Sequence, residues 1–203
     1  MCIRDSSTVL LGKSPELMEL CAKSGCRGLL IGFESVSKET LIDCNKRFNT
    51  PATYAEFIRT LHTNRISVMG TFVFGSESDT INSFDEVKDF VLTHKVDLPR
   101  FSIQTPFPGT TLFKTLETED RILTRDWSLY DGQHVVYKPK NMTPEELTKR
   151  YEKLWREVYS YKSIAKRIGR HSNPLPIIVG ANIGYRFYAK NLNRFYNCNA
   201  GLL

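Results

Sequence analysis

Short apolar runs alternate along this chain with longer stretches whose apolar residues recur at spacings of three and four, and nearly every run ends in a polar cluster. Thr8 to Leu11 reads as a first strand. Ser14-Pro15-Glu16 then opens a helix, with Ser14 as N-cap and Pro15 at the first helical position, and Gly25 stops it near Lys23. Leu29 to Phe33 is a second strand, ending in Glu34 and Ser35. A short helix follows over Lys38 to Cys44, and Thr50-Pro51 opens another with Tyr54, Phe57, Ile58 and Leu61 on one face. Ile66 to Phe74 is a third strand closed by Gly75 to Thr80, a helix from Ile81 to His94 returns the chain, and Phe101 to Thr105 is a fourth strand ending in Pro106-Phe107-Pro108-Gly109-Thr110. Strands alternating with helices imply right-handed crossovers and a parallel sheet, hence a doubly wound sheet or a β/α barrel. In such folds ligands gather at the carboxyl ends of the strands.

From Glu119 to Asn141 the pattern breaks into a polar and aromatic loop, too long to be a simple connection. Thr143-Pro144-Glu145-Glu146 is a capping box. After it, Leu147, Tyr151, Leu154, Trp155, Val158, Ile164 and Ile168 trace one continuous helical stripe, read as packing against the sheet. Pro174 and Pro176 interrupt, and Ile177 to Tyr196 reads as a last amphipathic helix.

Composition adds two points. The formal charge of +6 lies wholly in the C-terminal part: residues 144 to 203 hold 11 Lys and Arg against 4 Asp and Glu, whereas residues 1 to 143 hold 17 against 18. Such a tail suits a solvated face first, and phosphates or acidic lipid headgroups second. The five cysteines, Cys2, Cys21, Cys26, Cys44 and Cys198, match no common metal spacing, so the chain offers no metal ligands and a reducing cytoplasm is the expected compartment. No hydrophobic stretch reaches the roughly 20 residues of a membrane span. All four histidines read as solvated, with His134, in the aromatic loop, the one able to face a substrate. Residues 1 to 6 resemble adapter-derived sequence and are set aside as a leader, so the chain is expected to begin within a domain.

Three strand ends thus converge on one rim. Gly32-Phe33-Glu34-Ser35, Gly70 to Gly75 with Asp79-Thr80, and Thr105-Pro106-Phe107-Pro108-Gly109-Thr110 together resemble the second half of a radical S-adenosylmethionine (SAM) barrel. Asp126 to Gly132 and Pro139 to Leu147 are similar to the region after the barrel in cobalamin-binding radical enzymes. The resemblance covers residues 8 to 168. It implies an α/β fold, a partial parallel TIM-like β/α barrel made of strands three to six of a radical SAM barrel, with a C-terminal helical extension. The expected division is a half barrel over 7 to 118, a loop over 119 to 142 and the extension over 143 to 203.

By that resemblance, Gly32, Glu34, Ser35, Gly70, Gly75, Gln104, Thr105 and Pro106 bind the cofactor, with Glu34 and Ser35 on its ribose hydroxyls, where both carboxylate oxygens can accept. Gly70 and Gly75 would let backbone approach adenine and methionine. Asp79 stands where relatives carry a glutamate. The family's Cys-x3-Cys-x2-Cys cluster motif is absent, so the 4Fe–4S ligands and any cobalamin domain belong to a missing N-terminal half. The whole protein would generate a 5′-deoxyadenosyl radical from SAM to modify a small molecule, with methyl transfer as the outcome where cobalamin takes part. The chain alone would be inactive. Two alternatives remain: a module whose basic tail docks RNA, and a radical-free barrel using Glu34 and Asp79 as acid and base.

Overall fold

A computed structural model describes residues 3–192 and shows one parallel sheet in the order β1-β2-β3-β4, formed by β1 (Ile3–Ser7), β2 (Cys26–Glu34), β3 (Ser67–Phe74) and β4 (Arg100–Ile103). Sequence reading places β2 to β4 correctly and misplaces the first strand. Ile3–Ser7, all but the last residue of which it sets aside, pairs with Cys26 to Ile31, while Thr8 to Leu11 turns into a 3-10 helix over Val9–Lys13. The reason is local, since the Thr8 hydroxyl accepts from the Leu10 N–H and caps a turn that Gly12 and Ser14-Pro15 already favour. Residues 1 and 2 lie outside the described part.

Between strands run α1 (Pro15–Lys23), α2 (Lys38–Asp43), α3 (Pro51–Thr63) and α4 (Ile81–Thr93); Ser14 caps α1 as expected, the hydroxyls of Ser37 and Thr80 cap α2 and α4, and α3 begins at the expected Thr50-Pro51 without a side-chain cap bond. Alternation along the strands sorts their side chains. Leu29, Ile31, Phe33, Val68, Phe72, Phe74, Phe101 and Ile103 are buried, whereas Leu30, Gly32, Glu34, Met69, Thr71, Val73, Ser102 and Gln104 are half-buried on the other, inner face. Aromatic rings knit the buried face to the helices. Phe33 lies 4.8 Å from Tyr54 of α3, and Phe74 stacks at 4.2 Å on Phe84 of α4.

After β4 the chain forms α5 (Thr111–Thr118), which the sequence reading did not mark. The expected loop then folds back on itself through an antiparallel bridge between Ile122 and Tyr137, around a small core of Phe113, Leu116, Tyr130, Val136 and Tyr137. The predicted stripe is buried in α6 (Pro144–Val158), where Trp155 meets Phe101 of β4 edge-on at 5.2 Å. The helix is not continuous to Ile168. It ends at Tyr159, and the Ser160 hydroxyl caps a separate α7 (Tyr161–Arg167). A last helix, α8 (Leu175–Lys190), starts at the expected prolines; the remainder of that expectation, to Tyr196, lies outside the described residues.

One side chain ties this extension to the sheet. Arg167 is fully buried and donates to the carbonyls of Val96 and Asp97 before β4, to that of Val158 at the end of α6, and to Asn182 Oδ1 on α8. Removing it would take a donor from four buried acceptors, of which the Asp97 carbonyl keeps another from Asn182. Arg167→Met is expected to cost about 3 kcal/mol or more, read as a lowered midpoint in urea, because the apolar replacement restores volume without the donors.

Beside it, Asp97 is fully buried and accepts from the Val68 N–H, from His62 Nε2 and from the Ser172 hydroxyl, while His171 donates from Nε2 to the Arg167 carbonyl. Burial, then the adjacent His62, hold the His171 pKa below its ordinary value of 6.5. The folded state therefore takes up that proton less readily than the unfolded chain. This contribution is favourable above about pH 6.5 and is lost as pH falls below it. His171→Gln is expected to flatten the acid side of the melting-temperature profile; an unchanged profile would count against the assignment.

Candidate functional site

The second strand ends in a kink. Register with β3 shifts between Gly32 and Glu34, and Glu34 adopts a left-handed backbone with φ of +64°, a conformation costing of order 1 kcal/mol for a residue with a side chain. Three donors hold it there. The Phe33 carbonyl accepts from the Ser35 N–H at 2.8 Å, from the Tyr54 hydroxyl at 3.0 Å and from Asn49 Nδ2 at 3.1 Å, and Asn49 also donates to the Gly32 carbonyl. Burial pushes the Tyr54 phenol up, so it stays a donor.

The kink sends the Glu34 carboxylate over the inner face. A Cβ at Gly32 would lie 2.6 Å from Glu34 Oε1, with Thr71 Oγ1 nearby, so the missing side chain of Gly32 is the space the carboxylate occupies. Lys46 lies 3.6 Å from that oxygen and is partly exposed. Such a contact leaves the carboxylate available to vicinal hydroxyls. Ser35 is buried, and its hydroxyl accepts from the Ser37 N–H within the turn.

At the end of β3 the glycines serve packing. The Cβ position of Gly70 points at the Phe33 ring and Val96, on the buried side of the sheet. Gly75, with φ of +102°, faces the Tyr137 hydroxyl, which donates to the Gly75 carbonyl. Asp79 closes the same turn, accepting from the Gly75 and Ser76 N–H groups and from the Thr40 hydroxyl. Burial pushes its carboxyl up against those bonds. It is committed to the turn, which leaves the acid–base alternative without its partner for Glu34. At the end of β4, two strands and hence about 10 Å from β2, Gln104 is half-buried on the rim and its N–H extends the ladder to the Phe74 carbonyl. Thr105 turns its hydroxyl to the Ile103 carbonyl, and Pro106 is buried behind it.

The structure thus gathers Gly32, Glu34 and Thr71 on the inner face with Gln104 farther round the rim, and places Gly70 and Gly75 against protein side chains. Asn49, Tyr54, Thr71 and Tyr137 were missed, because each acts across at least 16 residues of sequence with no local motif. The histidines correct the expectation of solvation. His62 and His171 flank Asp97, and His134 Nδ1 lies 3.0 Å from Asp131 Oδ2. His62, Asp97 and His171 bring ligand atoms within 4.8 Å of one another, yet the Asp97 carboxylate already serves three donors, which makes the group a structural joint. The thiols of Cys26 and Cys44 lie on the Gly28 carbonyl and the Ser76 hydroxyl, so the described cysteines do not fit a cluster. Cys2 and Cys198 lie outside the described residues.

Comparison with known proteins now bears on this geometry. Residues 110–177 match a family described as a domain of unknown function, DUF4070. The chain is 38% identical to bacteriochlorophyllide d C-12(1)-methyltransferase of Chlorobaculum tepidum over 77% of its length and 34% of that protein, and 30% identical to the C-8(2)-methyltransferase of the same organism over 76% and 35%. It is 28% identical to the anaerobic magnesium-protoporphyrin IX monomethyl ester cyclase of Cereibacter sphaeroides over 75% of its length and 24% of that protein. It therefore spans about a third of the first two relatives. Its fold matches that of the radical SAM methyltransferase TsrM from Kitasatospora setae, solved with cobalamin and a 4Fe–4S cluster bound, with a TM-score of 0.52 and 20% identity over 74% of this chain and 28% of that one. Relatives and parallel sheet agree with the motifs: the fold is that of a segment of the TsrM β/α barrel with the helices that follow.

Proposed function

We propose that this chain is the SAM-facing later part of a cobalamin-dependent radical SAM enzyme that modifies a small molecule by methyl transfer. The observation that carries the reading is the left-handed Glu34, whose carboxylate lies over Gly32 and beside Thr71 while Asn49 and Tyr54 hold the turn beneath it. Glu34 accepts from the ribose hydroxyls, Thr71 borders the sugar, and the rim at Gln104, Thr105 and Pro106 bounds the adenine side. Ser35 supports the turn from beneath, and Gly70 and Gly75 contribute by admitting the Phe33 ring and Tyr137. Bound SAM with a reduced cluster supplies radical chemistry, and cobalamin supplies a transferable methyl group. Cluster and cobalamin are held by segments outside residues 7 to 203. The names of the relatives, methyltransferases and a cyclase acting on bacteriochlorophyllide and magnesium-protoporphyrin, support a small-molecule substrate.

Two measurements test this. Anaerobic reconstitution of the 203-residue chain is expected to yield no stoichiometric 4Fe–4S cluster by absorption and iron analysis, and a stoichiometric one would overturn the division of labour. In the parent protein carrying the upstream half, Glu34→Gln is expected to raise the dissociation constant for SAM by about tenfold or more, as for loss of hydrogen bonds to a charged acceptor. The cluster spectrum should stay unchanged; equal SAM affinity would remove Glu34 from the site.

A further inference from the structure

We propose that α8 docks on a lipid bilayer bearing anionic headgroups, lying along its surface. The helix is apolar on nearly all sides. Ile178, Asn182 and Ala189 face the protein, while Leu175, Ile177, Val179 and Ile183 are 40%, 61%, 38% and 55% exposed. Gly180 and Gly184 share that outer side, and a Cβ on either would meet no atom within 4 Å. From residue 175 to 189 the only charged side chain is Arg186, and it is turned inward onto the Tyr159 carbonyl and the Tyr161 ring. Leu175, Val179 and Ile183 follow at a spacing of four along one face, with Ile177 a third of a turn beyond Ile183, so the outer side of the helix is apolar rather than dotted with single exposed residues.

Charge selects the occupant. From residue 158 to the end there are seven Lys and Arg and no Asp or Glu. Lys162, Lys166 and Arg170 before α8, and Lys190 at its end, are all exposed. A protein partner would need an acidic rim around an apolar centre, whereas an anionic bilayer offers both in one plane, headgroups for the lysines and acyl chains for the isoleucines. Length fixes the mode. Sixteen residues at 1.5 Å each span about 24 Å, short of a hydrocarbon core of about 30 Å, and no described helix is long and apolar enough to cross a membrane. The helix therefore lies in the interface. Tyr161, 69% exposed and covered on one face by the Arg186 guanidinium at 3.8 Å, is an amphipathic ring of the kind that sits at headgroup level.

Flotation of the 203-residue chain with phosphatidylcholine vesicles, with and without phosphatidylglycerol, tests the proposal. Association is expected with the anionic vesicles, weakening as salt is raised. The double variant Ile177→Ser, Ile183→Ser is expected to lose about tenfold or more in affinity while its melting temperature holds, since both side chains are exposed. Lys166→Glu with Lys190→Glu should abolish the preference for phosphatidylglycerol. Absence of flotation would overturn the proposal, as would flotation equal in the serine variant. So would a concentration-dependent dimer abolished by the serine pair, which would assign the face to a second copy. Salt-sensitive RNA binding that ignores the pair, without flotation, would assign the basic residues to nucleic acid and overturn it equally.

Discussion

Burying a guanidinium commits the fold to supplying acceptors, and Arg167 organises the C-terminal part of this protein for that reason. A charge at zero exposure has lost its water; its two terminal nitrogens find four acceptors in place of it, while Nε finds none among the described residues. Four of its bonds go to elements otherwise unconnected in sequence: the segment before β4, the end of α6, and α8 through Asn182. Asn182 in turn donates to the Asp97 carbonyl, and Tyr159 donates to the Pro99 carbonyl while its ring lies under the guanidinium. Burial pushes the arginine down and the tyrosine up, both being held in a region water does not reach. The segment from Val96 to Pro99 is thereby fixed on both sides, and with it the entry of β4 into the sheet.

The site follows from that order by way of the sheet. With β3 held between β2 and β4, an extra residue at Phe33 must be absorbed, and the bulge directs Phe33 into the aromatic core and Glu34 onto the inner face. The energetic asymmetry explains why the strained residue is tolerated. The left-handed turn costs about 1 kcal/mol, whereas the Phe33 carbonyl gains three donors, each contributing of that order. A Cβ at Gly32 would meet the carboxylate where it lies, so a larger residue there would turn the Glu34 side chain away from the inner face.

Much of this was legible because it is periodic. The β2, β3 and β4 runs, the caps at Ser14 and Thr143, and the apolar stripe of α6 are local statements, and all are present. What escaped depends on the competition between local signals or on distance. Thr8 to Leu11 is apolar enough for a strand, yet the Thr8 cap and the following Ser-Pro made a 3-10 turn the cheaper choice, leaving pairing to Ile3–Ser7. The α6 stripe continues in sequence past Tyr159, but Ser160 offers its hydroxyl to the next helix start and breaks the run. The histidines looked solvated because Asp97, which pairs with His62 across 35 residues, carries no motif. Glu34 was visible as a carboxylate at a strand end; its kink was not, since Asn49 and Tyr54 lie on the far side of α2.

The rim shares one property across its strands: each end is locked by a residue brought from elsewhere. Asn49 and Tyr54 hold the end of β2, Asp79 and Tyr137 hold that of β3, and the Gly132 carbonyl accepts the Ile103 N–H at the end of β4. A loop held only by its own backbone would open at little cost. Here, opening any one of the three breaks hydrogen bonds that are largely buried, so the inner-face groups keep their positions without a ligand to order them. Binding energy that would go into arranging the rim is then available for discrimination. The aromatic loop belongs to this arrangement as well, because Tyr137 and Gly132 anchor it to two neighbouring strand ends, and Tyr188 of α8 donates to Gln133 beside them. The exposed helix α8 and the rim at the strand ends are therefore joined through one loop and one clamp, Arg167, and a displacement of α8 would be felt at the end of β4 before it reached Glu34.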